Sequence, residues 1–153
     1  MSEHHASVQW KRESESFAYD DYNRSHYWIF QNGIQVPASA ATQFLGDAGC
    51  VDPEEAFVAA ISSCHMLTFL AICARKRITV NRYSDNAVGY MEQNGQGKLA
   101  ITRVSLHPEI AWEGPPPDPA KVNRIHHLSH EECFIANSVT TLSLIHISEP
   151  TRR

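Results

Sequence analysis

Hydrophobic and polar positions alternate near the start of the chain in the way that strands with one buried face require. Val8 and Trp10 show this spacing, and Phe17 and Tyr19 repeat it a few residues later. Both segments therefore predict short, half-buried strands.

A second pair of predicted strands surrounds an Asn-Gly dipeptide. Residues 27–30 and 34–36 are rich in aromatic and aliphatic side chains, and Asn32 and Gly33 lie between them. The dipeptide predicts a tight hairpin, because a type I′ turn requires a positive φ at both of its central residues.

A long apolar segment follows a strong signal for the start of a helix. Asp52 can serve as the N-cap, Pro53 takes the first helical position, and Glu55 completes a capping box. Acidic residues stand at the predicted start and basic residues at the predicted end, residues 75–77, so that both ends complement the helix dipole. The sequence between them is uncharged and apolar on nearly every face. Such a helix is buried on all sides or spans a membrane.

The middle of this helix disfavours the membrane. The segment is long enough to cross a bilayer, but Ser62, Ser63, Cys64 and His65 occupy its centre. Polar residues at that depth are costly in lipid, and predicted strands stand on both sides of the helix. A central helix that packs against strands, or against a second copy of itself, fits the pattern better.

Further strands and a second helix complete the pattern. Residues 86–90 and 99–106 predict two strands joined by a glycine-rich turn. Asp118 and Pro119 repeat the capping signal and predict a helix that ends near residues 130–132, followed by a last strand. The order of strands, helix, strands, helix and strand predicts a single α+β domain.

Composition narrows the classes of function. The chain has 153 residues, of which 42% are hydrophobic and 20% charged, as in a globular domain. Its formal net charge of −4 offers no basic surplus for binding nucleic acid. The polar N-terminus lacks an apolar signal core, so we expect a cytoplasmic protein. The four cysteines form no CxxC pair and are expected to be free, metal-bound or redox-active rather than structural disulfides.

Cys64 has two interpretations when only its surroundings are considered. A small cysteine in an apolar helix is commonly a core residue, because free cysteine is among the most buried residue types. The hydroxyl groups of Ser62 and Ser63 and the imidazole of His65 make the environment more polar. These neighbours alone do not decide between a core thiol and a reactive one.

Two motifs together resemble the OsmC/Ohr family. Residues 52–56, DPEEA, followed by residues 59–66, AAISSCHM, resemble its central helix, in which a Pro-Glu pair precedes the reactive cysteine. Residues 130–138, HEECFIANS, resemble the stretch that carries the second cysteine of the family. The resemblance extends over residues 6–141. It implies an α+β, OsmC-like fold with antiparallel strands, a long buried central helix, a shorter second helix and an intertwined dimer.

The resemblance implies a peroxidase that acts on organic hydroperoxides and needs no cofactor. Cys64 would be the reactive cysteine and Cys133 the resolving one. Glu54 matches the active-site glutamate of the family, and Arg24 is the best match for its arginine. An external dithiol would return the oxidised protein to its thiol form.

Thiol chemistry in an apolar helix requires a nearby cation. Burial raises the pKa of a thiol and makes it unreactive, whereas a guanidinium favours the thiolate and can hydrogen-bond to a peroxide oxygen. A carboxylate can hold that guanidinium in place. Cys64 would then attack the O–O bond and become a sulfenic acid, and Cys133 would condense with it to a disulfide.

Helix geometry adds the expectation of a homodimer. Glu54 and Cys64 are ten residues apart in the sequence, which is about 15 Å along one helix. Two antiparallel copies related by a two-fold axis would place Glu54 of one chain nearer to Cys64 of the other. We therefore expect a composite site.

Two departures from the family pattern keep alternatives open. Phe134 follows the second cysteine where the family commonly has proline, and His65 follows the first where peroxidase branches often have phenylalanine. One alternative is a binding protein of the same fold that holds an apolar ligand without peroxidase turnover. Another is a soft-metal site at His126, His130 and Cys133, which share a helical face.

The last residues differ in character from the rest. Residues 143–153, SLIHISEPTRR, look like translated sequencing-adapter read-through. We therefore assign residues 1–142 to the OsmC-like domain and treat residues 143–153 as a non-native tail. The alternating residues 140–147 could still pair as a strand.

Overall fold

The computed structural model describes residues 1–147, which form two compact units, Met1–Ala56 and the chain from Phe57 onward. Strands and helices are mixed along the chain, so the predicted α+β class is confirmed. In chain order the elements are β1 (Ser7–Gln9), β2 (His26–Ile29), β3 (Gln35–Ala38), α1 (Pro53–Arg75), β4 (Val80–Asp85), β5 (Val88–Gln93), β6 (Leu99–Leu106), β7 (Pro108–Trp112), α2 (Pro119–Glu132), α3 (Phe134–Asn137) and β8 (Leu142–Ile145).

The N-terminal unit contains an antiparallel sheet in the order β1-β2-β3. The turn between β2 and β3 has φ values of 64° at Asn32 and 75° at Gly33, which confirms the predicted hairpin. Pro37 lies within β3 and pairs with Tyr27. Proline has no backbone N–H to donate. It is tolerated here because β3 is an edge strand, and one side of its backbone forms no ladder of hydrogen bonds with another strand.

The strand predicted around Phe17 and Tyr19 is wrong. These residues lie in an irregular segment where aromatic rings pack against one another. The centroids of Phe17 and Tyr22 are 4.9 Å apart, and those of Trp10 and Phe17 are 5.9 Å apart. The indole nitrogen of Trp10 donates to the carbonyl of Asn23 at 2.7 Å. Packing of this cluster explains the spacing of the apolar residues without a strand.

Helix α1 begins as the sequence predicts. The Glu55 backbone N–H donates to Oδ1 of Asp52 at 2.8 Å, and the Asp52 N–H donates to Oε1 of Glu55 at 3.2 Å. This reciprocal pair is a capping box, which satisfies amide groups that the first turn of a helix leaves free. The helix ends at Arg75, as expected.

Two small sheets form the strand part of the second unit. Strands β4 and β7 pair antiparallel, and the other sheet has the order β5-β6-β8. Strand β8 runs parallel to β6, with Arg103 opposite Leu142 and Leu106 opposite Ile145. Part of the segment assigned to a non-native tail thus pairs as a strand, whereas residues 148–153 lie outside the described part of the chain.

The core of this unit lies along one face of α1. One buried cluster consists of Phe69, Ile72 and Cys73 on α1 with Ile125 on α2, and partly buried residues of β4 and β7 pack against it. A second cluster joins α1 to the other sheet, through Ile61, Val104 and Leu106. The helix is long and apolar enough to cross a bilayer, but these contacts are those of a core helix.

Helix α1 also approaches β5 very closely. A Cβ atom placed on Gly89 would lie 2.4 Å from Cγ2 of Val58, a distance that packed atoms do not adopt. The helix can rest on the strand at this point because glycine has no side chain.

Helix α2 begins at the predicted cap. Oδ1 of Asp118 accepts a hydrogen bond from the Ala120 N–H at 3.1 Å. Its inner face is formed by Val122, Ile125, His126 and Ser129.

Candidate thiol site

The structure brings Cys64 and Cys133 together. Cys64 lies in the middle of α1, and Cys133 lies between the end of α2 and the start of α3. The Cys64 thiol is within hydrogen-bonding reach of the Cys133 thiol, and both are free. A disulfide between them requires the two sulfurs to approach to about 2.05 Å.

Cys133 is the buried member of the pair. Only 1% of its surface is exposed, and its Sγ accepts a hydrogen bond from the Ala136 N–H at 3.5 Å. Burial raises the pKa of the Cys133 thiol, and the hydrogen bond with Cys64 raises it further. Cys133 is therefore held as a protonated thiol at neutral pH.

Cys64 is the accessible member of the pair. It is half-buried and lines a groove of about 500 Å³. Most of the groove wall is apolar, and among residues 1–147 its charged groups come from Arg75 and Glu132. A small apolar molecule in the groove would meet the Cys64 sulfur before it met Cys133. The other residues that line the groove are Leu67, Thr68, Ala71, Ile72, Leu128 and Phe134.

A hydrogen bond holds the polar middle of α1 against β4. The Ser62 hydroxyl donates to Oδ2 of Asp85 at 2.5 Å. The other carboxylate oxygen of Asp85 accepts from the His107 N–H at 2.6 Å. Asp85 thus fixes the helix close to the position of Cys64.

A buried histidine pair lies beside the thiols. Nε2 of His65 and Nδ1 of His126 are 3.0 Å apart, and the two rings are stacked with centroids 5.3 Å apart. Burial is the main reason that the pKa of each imidazole is lowered to about 4. Both rings are therefore neutral at neutral pH, with one nitrogen donating and the other accepting.

The surroundings of this pair are otherwise apolar. The His126 ring stacks on Phe69 at 4.3 Å between centroids. Nε2 of His126 is buried and has no hydrogen-bond partner among residues 1–147. Sequence reasoning placed His126 with His130 and Cys133 and gave His65 no role. The one available signal was the position of His126 next to Ile125, on the inner face of α2.

A family model described as OsmC-like protein matches residues 46–146. The chain belongs to the OsmC-like family. This result confirms the resemblance predicted from the two cysteine motifs. A search of curated proteins gave no match.

Solved structures support the same assignment. An OsmC-like protein of unknown function from Vibrio cholerae is 47% identical, covers 97% of this chain and 100% of its own, and superposes with a TM-score of 0.92. An organic hydroperoxide resistance protein from Elizabethkingia anophelis is 15% identical, with coverage of 98% of each chain and a TM-score of 0.74. An organic hydroperoxide resistance protein OsmC from Legionella pneumophila is 14% identical, covers 97% and 100%, and has a TM-score of 0.72. The last two show a shared fold alone.

The other two predicted site residues of this OsmC-like protein lie in its N-terminal unit. The Arg24 guanidinium stacks over the Tyr22 ring at 3.7 Å and donates to the Tyr22 carbonyl at 2.5 Å and to the Tyr19 carbonyl. It lines a mainly apolar cavity of about 420 Å³, to which Trp10, Phe17 and Tyr22 contribute aromatic rings. Glu54 is half-buried in the first turn of α1. Their roles in the active site stay predictions.

The structure does not support the metal alternative. Within residues 1–147, no group of three or more His, Cys, Asp and Glu side chains is arranged to hold a metal ion. His126, on the inner face of α2, lies with its Nδ1 3.0 Å from Nε2 of His65 on α1.

Proposed function

We propose that this OsmC-like protein is a thiol peroxidase that reduces organic hydroperoxides, with Cys64 as the reactive cysteine and Cys133 as the resolving cysteine. The observation that carries the proposal is the contact between an accessible thiol at the wall of an apolar groove and a buried thiol behind it. A reactive cysteine needs access to substrate, and a resolving cysteine needs access only to the reactive one.

The proposed cycle balances with one external reductant. The Cys64 thiolate attacks one peroxide oxygen, the O–O bond breaks, and the alkoxide leaves and takes a proton to become an alcohol. Cys64 is then a sulfenic acid. The Cys133 sulfur attacks the Cys64 sulfur, releases water and forms a disulfide. A dithiol reduces this disulfide by two exchange steps and is itself oxidised to a disulfide. Such a cycle fits the reducing conditions of the cytoplasm.

The apolar groove supports an organic substrate rather than hydrogen peroxide. Burial of an alkyl or aryl group against Leu67, Ala71 and Leu128 would contribute binding free energy that hydrogen peroxide cannot obtain. We expect cumene hydroperoxide to be reduced faster than hydrogen peroxide.

The proposal includes a homodimer, with Arg24 and Glu54 as parts of a composite site. Leu67, on the side of α1 away from its core, is 60% exposed, and such an apolar face is commonly covered by a partner. The Arg24 guanidinium would favour the Cys64 thiolate, and Glu54 would hold the guanidinium.

Complementation tests the composite site. Glu54→Gln and Cys64→Ser variants are each expected to be nearly inactive. The two variants are dissociated, mixed and allowed to reassemble into heterodimers. If Glu54 acts on the Cys64 of the other chain, each heterodimer contains one native site. Recovered activity supports this arrangement, whereas a fully active monomer, or no recovery in a proven heterodimer, contradicts it.

Variants of the two thiols test the reaction itself. Cys64→Ser is expected to lower cumene hydroperoxide turnover by roughly a thousandfold or more, because it removes the nucleophile. Cys133→Ser is expected to consume a single equivalent and to leave a sulfenic acid that dimedone traps. Cys50→Ser serves as the matched control and should retain turnover. Turnover in Cys64→Ser at the wild-type rate would reject the mechanism.

A binding protein for an apolar ligand is the second candidate. The groove beside Cys64 favours it, because its size and lining suit a small apolar molecule with or without chemistry. This candidate predicts tight retention of ligand together with a Cys64 that cumene hydroperoxide does not oxidise. The rate of Cys64 sulfenylation therefore separates the two functions.

A further inference from the structure

The histidine pair bridges the two helices that carry the thiols. His65 follows Cys64 directly on α1, and His126 lies on α2, seven residues before Cys133. Only 2% of His65 and 1% of His126 is exposed. Within residues 1–147, their hydrogen bond is the one bond between side chains of α1 and α2 apart from the contact of the thiols. The imidazoles therefore form a polar link beside the two sulfurs.

Apolar packing accounts for further contact between these helices. Phe69, Ile72 and Cys73 of α1 pack against Ile125 of α2. Hydrophobic contact has no preferred direction, whereas a hydrogen bond requires a donor–acceptor distance of about 3 Å and a nearly linear arrangement. The bond between the imidazoles therefore restricts the position of α2 relative to α1 more narrowly than the apolar cluster does.

The buried surroundings of His126 indicate which ring donates. Nδ1 of His126 lies 3.0 Å from Nε2 of His65, and Nε2 of His126 has no hydrogen-bond partner among residues 1–147. A neutral imidazole carries a proton on one nitrogen only, and a buried N–H group without an acceptor is rare in proteins. The proton of His126 is therefore expected on Nδ1, where His65 can accept the hydrogen bond.

We infer that His126 donates from Nδ1 to Nε2 of His65, and that this bond makes both histidines positioning residues for the disulfide between Cys64 and Cys133. The inference rests on the proposed function, in which that disulfide forms in every cycle. The bond joins the helices close to the thiols and limits how far the reduced sulfurs can move apart. Holding two reacting groups together in this way raises the effective concentration of one at the other.

Equilibrium with glutathione measures this effect without any peroxide. The two protein thiols and one oxidised glutathione give the protein disulfide and two reduced glutathiones, and the equilibrium constant is the effective concentration of the thiols. His126→Leu removes the donor and is expected to lower this constant about tenfold, which raises the reduction potential of the disulfide by about 30 mV. His126→Asn should stay close to the native value, because its amide nitrogen lies the same number of bonds from Cα as Nδ1.

Ile125→Val is the matched control. It shortens a buried side chain at the neighbouring position of α2, so it should lower the free energy of unfolding but leave the glutathione equilibrium unchanged. An equal fall of the constant in Ile125→Val and His126→Leu would indicate general loosening of the helix contact and overturn the inference. An unchanged constant in His126→Leu also overturns it, even if the native protein reduces cumene hydroperoxide.

Other results separate the inference from the peroxidase. The expected shift in His126→Leu, in a protein whose Cys64 is not oxidised by cumene hydroperoxide, upholds the positioning role and rejects the peroxidase. A native protein that forms no disulfide between Cys64 and Cys133 in the glutathione buffer rejects the resolving role of Cys133 and the inference together.

NMR spectroscopy tests the donor in the native protein and does not depend on the folding of a variant. The imidazole nitrogen chemical shifts of His126 in the reduced protein should show a protonated Nδ1 and a bare Nε2. The opposite tautomer would mean that His65 donates, and it would overturn the inference.

Discussion

Helix α1 carries two cysteines with opposite surroundings. Cys64 is half-buried, borders the groove and touches Cys133. Cys73 is 1% exposed and packs among Phe69, Ile72 and Ile125. Burial raises the pKa of the Cys73 thiol to about 11. The same residue type on the same helix is thus accessible in one half and inert in the other, because thiol reactivity depends on access and on thiolate population.

The histidine pair lies at the boundary between these halves. His65 follows Cys64 in the sequence, and His126 stacks on Phe69, which belongs to the cluster around Cys73. A positive charge on either imidazole would therefore lie next to the apolar cluster around Cys73. We therefore expect the contrast between the two thiols to depend on pH.

Acid should have the largest effect on this contrast. The pKa of His65 and of His126 is lowered from 6.5 to about 4 in the folded protein. The unfolded chain therefore binds more protons below pH 6.5, and the free energy of unfolding falls as the pH drops from 6.5 towards 4. Each histidine contributes on the order of 3 kcal/mol to this loss. Urea denaturation at several pH values measures it.

Two controls accompany the acid experiment. His127→Gln alters an exposed histidine and should leave the pH dependence unchanged. Labelling of Cys73 with 4,4′-dithiodipyridine, which reacts in acid, should accelerate as the cluster opens. A free energy of unfolding that stays constant from pH 6.5 to 4.5 would contradict the assignment of two neutral, buried imidazoles.

Thiol labelling at neutral pH should show the next largest difference. Iodoacetamide is expected to modify Cys64 at least about a hundredfold faster than Cys73. The raised pKa of Cys73 alone lowers its thiolate population by about that factor, and burial slows the reaction further. Peptide mass spectrometry over time gives both rates from one sample. Similar rates at the two positions would contradict the contrast.

Serine substitutions should show the smallest difference. Cys73→Ser places a hydroxyl in an apolar cluster and is expected to lower the free energy of unfolding by about 1–3 kcal/mol. Cys64→Ser, at a half-exposed position, should cost less than about 1 kcal/mol. Denaturant unfolding of the two variants gives the comparison, and equal losses would show that both thiols occupy equivalent environments.

Several elements were predicted correctly from short motifs in the sequence. Asp52 and Glu55 form the expected capping box, and Asn32-Gly33 forms the expected turn, because neighbouring residues determine both structures. Apolar residues at alternate positions predicted strands less reliably. Phe17 and Tyr19 have the period of a strand, but the aromatic residues of their own segment supply the packing.

The candidate site was predictable only where a motif marked it. The two cysteine motifs indicated Cys64 and Cys133, which meet in space. The His65–His126 pair joins two helices that are far apart in the sequence, so no local pattern could reveal it. The cavity that Lys76 lines together with residues of α2 is likewise a property of the tertiary fold.

The absent side chain at Gly89 has a consequence for the chemistry of the sulfur atoms. A methyl group added there would lie 2.4 Å from Cγ2 of Val58, so either the Val58 side chain or α1 itself would have to move. Cys64 lies less than two turns further along α1, so a shift of the helix would also change its distance from Cys133. Gly89 thus influences whether the two sulfurs can bond, although it contacts neither of them.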